Sequence, residues 1–204
     1  CSYNEFSDYI IKKNPDIICL QEVIYDENTD NKIKNLSKYC YYYKFLKTVN
    51  KRNGSQYGIA IISKYPFTNY KQSYYDKYAE KRGNQSITVS FQNKKIKIVN
   101  THLDYKLYTD YQLQKLFEKY CTENTDNKNI INILCGDFND SPYNSVIQKY
   151  LHNYHKIDNK PTYVTKRTQM KLDYILVSNN AQKCKYTIDN TDISDHYPIF
   201  CNIK

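Results

Sequence analysis

Five apolar runs of this chain end or begin with side chains that can ligate a cation or move a proton. Glu22 closes DIICLQ, His102 and Asp104 follow KIVNT, Asp137 and Asn139 follow INILCG, Asp173 opens DYILV, and Asp195 and His196 stand before YPIFCNI. Carboxylates and an amide supply the oxygen ligands that a hard divalent cation takes, and one or two acids suffice because such an ion keeps several waters. An imidazole beside a carboxylate gains proton affinity and a fixed orientation, which suits proton transfer near neutral pH. Taken singly each group is ordinary, since Ser, Asp and Pro are turn formers and a strand-end histidine commonly does no more than complete a hydrogen bond. Five independent strand ends carrying this chemistry, with little of it inside the strands, exceed what turns account for.

Alternating strands and helices must position these groups. SYNEFSDYIIKK has apolar residues at helical spacing and stops before Asn14-Pro15. DIICLQEV, YGIAIISKYP, NQSITVSF and KKIKIVNTHLD read as strands, the last two joined through a Gln92-Asn93 turn. A helix is expected over 26–43, another over Thr109–Cys121, and a shorter one over NSVIQKYL after Ser141-Pro142. The loop TENTDNKN precedes INILCGDFND, and KLDYILVS, a variable stretch around KCKYTI, and YPIFCNI close the chain. Hairpin-like succession favours a mixed or antiparallel sheet core over a doubly wound parallel one. In mixed sheets the exits of some strands and the starts of others share one rim, and the five polar groups would meet there.

A chain of 204 residues fits a single domain spanning 1–204. No apolar run is long enough to span a bilayer, so no stable membrane insertion is expected. Seven cysteines without a C-x-x-C pair, three of them inside apolar runs (Cys19, Cys135, Cys201), suit reduced thiols. That points to an intracellular setting, cytoplasmic or nuclear, and neither cysteines nor histidines cluster at zinc-ligand spacing. The net charge is +9, with 27 Lys against 3 Arg, and its distribution is uneven. Residues 38–82 hold ten Lys/Arg and two acids, a net of +8, together with ten of the 24 tyrosines. Basic groups interleaved with rings can follow a phosphate backbone and stack bases; a solvated lysine-rich face is the alternative.

LQEV (20–23), NTHLD (100–104), GDFND (136–140), LDYI (172–175) and SDHYP (194–198), in that order, resemble the endonuclease/exonuclease/phosphatase superfamily with its deoxyribonuclease-I-like fold. SKYPF (63–67) and KRGNQ (81–85) resemble its connecting segments. The resemblance implies an α/β (α+β) four-layer sandwich: two mixed β-sheets packed face to face and flanked by helices. It implies a Mg²⁺-dependent phosphoesterase, with Mn²⁺ as a substitute, that attacks phosphorus directly with water. Carried over residue by residue, Glu22 and Asp195 are the metal side and Asp137 orients or deprotonates the water. Asn139 holds that water or a phosphate oxygen, Asp173 fixes His196 for phosphoryl contact or proton transfer, and His102 is the second imidazole. Arg82, with Asn139 and His102, is assigned to substrate binding.

The chain departs from the family pattern in two places. The family opens with a strand ending in Asn, whereas this sequence begins in the following helix, so an apolar strand ending in Asn is expected upstream of Cys1. The helix after NTHLD carries Thr109 where the family often has Arg three residues before its Gln, here Gln112. The expected substrate is nucleic acid, cut by a monomeric enzyme. A sphingomyelinase-like or inositol-phosphate phosphoesterase is the alternative, and a non-catalytic binding domain of the same fold is a third reading. The absence of Trp weighs against a membrane-entering surface.

Overall fold

The computed structural model describes residues 3–26, 36, 42–105, 107–122 and 129–204. Helix α1 (Tyr3–Lys13) lays Phe6, Tyr9 and Ile10 on a cluster formed by Ile18, Leu36, Ala60 and Ile62. It stops where Asn14 turns left-handed at φ 50° and donates its N–H to the Ile10 carbonyl, with Pro15 next in the chain. Strands β1 (Ile17–Tyr25), β2 (Tyr42–Asn50) and β3 (Gln56–Ser63) form an antiparallel sheet in the order β1-β3-β2. The helix expected over 26–43 lies mostly outside the described residues, but within them Tyr42 and Tyr43 already belong to β2.

The second sheet has five strands in the order β10-β7-β6-β5-β4. They are β4 (Phe67–Tyr74), β5 (Gly83–Phe91), β6 (Lys94–His102), β7 (Ile130–Asp137) and β10 (Asp173–Val177). The β5–β6 hairpin turns at Gln92 and Asn93, both at positive φ, the geometry that matches the twist of its strands. Strands β6 and β7 run parallel, because helix α2 (Thr109–Thr122) carries the chain back between them. Every other pairing in the sheet is antiparallel. A short helix α3 (Ser145–Leu151), N-capped by Asn144, packs beside α2. Two hairpins complete the described chain: β8 (Tyr163–Val164) with β9 (Gln169–Met170), and β11 (Cys184–Ile188) with β12 (Ile199–Ile203). No described strand pairs with the second edge of β1 or of β12.

These elements make four layers. Helix α1 covers the first sheet, Ile61, Ile87, Val89, Ile98 and Cys135 fill the space between the sheets, and α2 and α3 cover the second sheet through Val99, Leu113, Phe117, Leu134 and Tyr174. Strands β2, β4, β8 and β9 carry too few aliphatic residues to stand out in the sequence. In β2 the run YYKFLKTVN alternates between solvent and core, which masks a half-buried strand among lysines. The stretch around KCKYTI is β11, paired with the last strand. Cys19, Cys121, Cys135, Cys184 and Cys201 are free thiols, and no described helix is long and apolar enough to cross a membrane.

Gly136 fixes the approach of β7 to β6. It sits at φ 140°, and a Cβ there would stand 1.9 Å from the Thr101 carbonyl oxygen, one residue before Asp137. Gly136→Ala should therefore cost about 3 kcal/mol, at the upper end of ordinary single substitutions. Urea unfolding followed by circular dichroism measures it, and a loss below about 1 kcal/mol would show that the two strands can move apart.

Candidate active site

One row of the second sheet's hydrogen-bond ladder carries the site. Gly83 is opposite His102, His102 opposite Asp137, and Asp137 opposite Asp173. Neighbours in such a row project their side chains to the same face. The period of two along each strand shows which face this is. His102 continues the side of Ile98 and Asn100, Asp137 that of Cys135, and Asp173 that of Ile175, all of which point between the sheets. The three groups thus emerge at the open end of the inter-sheet core. Just beneath them Asn100, fully buried, donates to the carbonyls of Leu20 and Ala60 and accepts from Gln21, which ties the first sheet to the second.

That tie lies at an irregularity in β1. Pairing with β3 shifts between Leu20 and Val23, and Glu22 takes a left-handed φ of 56°. The sequence suggests that DIICLQ ends at Glu22; instead the strand continues to Tyr25, and Glu22 projects from a bulge. Burial chiefly raises the Tyr57 hydroxyl of β3 to about 12, and the charge of Glu22 adds to the rise against that of Arg82.

His196 Nδ1 lies 2.9 Å from Asp173 Oδ2. The loop that presents it is held by a bridge to Tyr163, whose ring centroid is 4.9 Å from the imidazole. Asp173 is held in turn, because Thr162 Oγ1 accepts the N–H groups of Leu172 and Asp173 at 3.0 Å each. Asp137 Oδ1 accepts the Asn139 N–H at 2.8 Å, while Asn139 donates from Nδ2 to the Leu103 carbonyl and sits at φ 53°. His102 Nε2 is 3.6 Å from Asp137 Oδ2, too long for a direct hydrogen bond. Arg82 is buried, at 7% exposure, and its Nη1 is 3.0 Å from His102 Nδ1. Asp104 is also buried, accepting the Ala79 N–H, and Gln112 accepts from Asp104 N and donates to Lys77 O, which fastens the 76–82 loop to α2.

The environment drives the titrating groups apart. Burial, then the charges of Arg82 and His196, pushes His102 down to about 3. Burial and then the charge of Asp173 raise Asp137 to about 7; Glu22 adds to the rise, and His196 and the Asn139 N–H oppose it. Burial alone would lower His196, but the hydrogen bond and charge of Asp173, with Asp137 and Asp195, outweigh it and push the imidazole up to about 9. His102 is therefore neutral at neutral pH and His196 is charged.

The structure brings together Asp137, Asp173 and His196, with Asn139, His102 and Arg82 around them. Glu22 and Asp195 lie at the margin, both exposed, where their charges reach Asp137 and His196 respectively. The donor set fits a hard divalent cation. The carboxylates of Asp137 and Asp173 lie within 4.8 Å of one another beside the charged His196, and carboxylates crowded enough to raise Asp137 are the arrangement a cation relieves. Tyr57 and Thr162 have no signal in the sequence, because each acts only on a neighbour distant in the chain, while Asn100 is legible only as part of NTHLD and not as the tie between the sheets.

Residues 1–196 match the Endonuclease/Exonuclease/phosphatase family. The chain belongs to that family. It is a metal-dependent hydrolase of phosphoester bonds. Solved structures share its fold at low identity. Truncated Caenorhabditis elegans TDP2 is 20% identical with a TM-score of 0.76, covering 98% of this chain and 90% of that one. A Staphylococcus aureus beta toxin mutant with bound magnesium ions is 16% identical with a TM-score of 0.77, covering 99% and 91%. Sphingomyelinase C from Streptomyces griseocarneus is 15% identical with a TM-score of 0.74, covering 98% and 90%. No curated protein matches the chain.

The Asp173–His196 pair gives this family member a stability term of defined sign. The folded pKa of His196, about 9, exceeds its ordinary 6.5, so the contribution is full below 6.5 and is lost as pH rises through 9. In metal-free protein, Asp173→Asn should bring the His196 titration, followed by its ring proton resonances, down toward 6.5 and flatten the decline in stability between those limits. A His196 midpoint unmoved by the substitution would assign the rise to Asp137 and Asp195.

Proposed function

We propose that the protein is a Mg²⁺-dependent phosphodiesterase that cuts nucleic acid. A groove of about 420 Å³ between β4, β5 and α2 carries this reading; Tyr74, Tyr75, Tyr111, Lys115 and Lys119 line it together with Asp76 and Glu118, which engage Tyr111 and Lys115. Its inner wall meets β6 on the α2-covered face, where the Tyr75 hydroxyl is 3.1 Å from Thr101 Oγ1, so the groove reaches the row of His102 only around the edge of the sheet. Ammonium groups stand over rings that line it: Lys77 at 4.8 Å and Lys115 at 5.8 Å from the Tyr111 centroid, and Lys81 at 3.9 Å from Tyr74. Cations alternating with rings suit a chain of phosphates and bases. The basic stretch 38–82 contributes only in part, because Lys64 is spent at the far end of β3 on Asn14 and Asp16.

In this reading the phosphate lies over the row of Asp137 and His102. Asp137, with Oδ1 held by the Asn139 N–H, takes a proton through Oδ2 from the attacking water as its oxygen bonds to phosphorus. A group titrating near 7 is matched to that task. The bond from phosphorus to the leaving oxygen breaks, and His196, charged and oriented by Asp173, gives that oxygen a proton. Mg²⁺, held by Glu22 and Asp195, would offset the negative charge of the phosphate when bound.

One observation favours a lipid substrate instead. Leu107 and Tyr143 are 74% and 84% exposed on adjacent loops beside His102 and Asp137, loops joined by the Asn144–Asp110 hydrogen bond. A sphingomyelinase-like enzyme would use such side chains at a bilayer surface.

End-labelled single- and double-stranded DNA and RNA, incubated in Mg²⁺ and in EDTA beside sphingomyelin vesicles, separate the two. Cleavage of a nucleic acid in Mg²⁺ is expected, abolished by EDTA and reduced at least about 10³-fold by Asp137→Ala. Headgroup release from vesicles without nucleic-acid cutting would transfer the assignment to the lipid.

A further inference from the structure

We propose that Arg82 is a positioning residue: its guanidinium holds His102 as the neutral Nε2–H tautomer, so that His102 donates a hydrogen bond to the substrate phosphate and takes no proton. The phosphate part rests on the phosphodiesterase reading; the tautomer does not.

The argument is one of hydrogen-bond chemistry. A guanidinium has donors only, so His102 Nδ1, 3.0 Å from Arg82 Nη1, must be the acceptor. A neutral imidazole whose Nδ1 accepts carries its proton on Nε2. That nitrogen is 3.6 Å from Asp137 Oδ2, too far for a direct hydrogen bond, which leaves the N–H free for an oxygen approaching from the open side of the row. Nothing in the ring is then left to act as a base, and proton removal from water falls to Asp137.

Arg82 is well placed to hold this arrangement and poorly placed to reach solvent. It directly precedes Gly83, the residue opposite His102 in the ladder. Its Nη1 is also 3.5 Å from the Tyr57 hydroxyl, its Nη2 is 3.4 Å from Glu80 Oε2, and its central carbon lies 6.0 Å from the Tyr57 ring centroid. Its Nε, buried, has no hydrogen-bond partner among the described residues, so the group is held through its two Nη atoms. Glu22 lies near enough for its charge to raise the Tyr57 hydroxyl. The series Tyr57, Arg82, His102 thus crosses from the first sheet to the second and sets the imidazole against both.

Long-range ¹H–¹⁵N correlation spectra of the ¹⁵N-labelled full chain, recorded without metal at neutral pH, read the tautomer directly. His102→Gln identifies the resonances. The expected pattern is a neutral ring with a protonated Nε2 and a bare Nδ1. In Arg82→Met the two tautomers should mix, and in Arg82→Lys, which keeps a donor, the wild-type pattern should partly return. On whichever phosphodiester the wild type cleaves, Arg82→Met should lower kcat roughly 10- to 100-fold with KM nearly unchanged, and Arg82→Lys should recover part of it. An Nδ1–H or doubly protonated ring in the wild type would overturn the proposal. So would an Arg82→Met protein whose His102 pattern is unchanged while KM alone rises, since Arg82 would then contact substrate. If Arg82→Met does not fold, the wild-type and Arg82→Lys spectra still decide. If the wild type cleaves no nucleic acid, the substrate assignment fails and the spectrum still reports the tautomer.

Discussion

The register of four strands is the constraint on which the site depends. Parallel pairing of β6 with β7 brings two strand exits to one edge, and the antiparallel neighbours β5 and β10 begin at that edge. A ladder spaced at about 4.8 Å then sets His102, Asp137 and Asp173 side by side with their side chains on one face. A one-residue slip in either pairing would turn one member toward α2 and dissolve the row. Gly136 protects the register at its tightest point, where the backbones of β6 and β7 approach too closely for any side chain.

The row acquires its chemistry because it ends an apolar core. Ile98, Cys135 and Ile175 exclude water from the space between the sheets, and the polar groups that continue their faces inherit a low-dielectric floor with an open top. Burial therefore leads the causes that raise Asp137 and lower His102, and of the two imidazoles only His196, partly buried and paired with Asp173, gains proton affinity. Three neighbouring groups thus acquire three different proton affinities from one environment. The crowding of carboxylates that makes Asp137 a base near neutrality also creates the demand for a cation.

The first sheet contributes less to the row and more to its alignment. Asn100 fixes β1 against β6 at the bulge from which Glu22 projects, and Tyr57 and Arg82 carry a second connection across the same gap. The 76–82 loop, bonded to Asp104 and Gln112, joins that connection to α2 and the groove of tyrosines and lysines. The edge, the groove and the inter-sheet connection are parts of one hydrogen-bonded assembly.

The sequence by itself determined the chemistry at the strand ends and the order in which it occurs. LQEV, NTHLD, GDFND, LDYI and SDHYP are local signals, because an apolar run followed by an acid or imidazole needs no knowledge of its neighbours. Family and layered fold were legible for the same reason, and so were the β5–β6 turn and the helix beginning at Thr109. Strands β2 and β4 were not, since their half-buried faces are recognised only against the sheet they join. The placement of Arg82 was also hidden. As one cation in a basic stretch it suggests contact with substrate, yet the start of β5 beside the end of β6 turns it inward onto His102. Which groups lie within reach of one another, and hence which one is charged, was decided by tertiary structure alone, because hydrogen bonds and burial depend on distances that strand register sets and residue order does not.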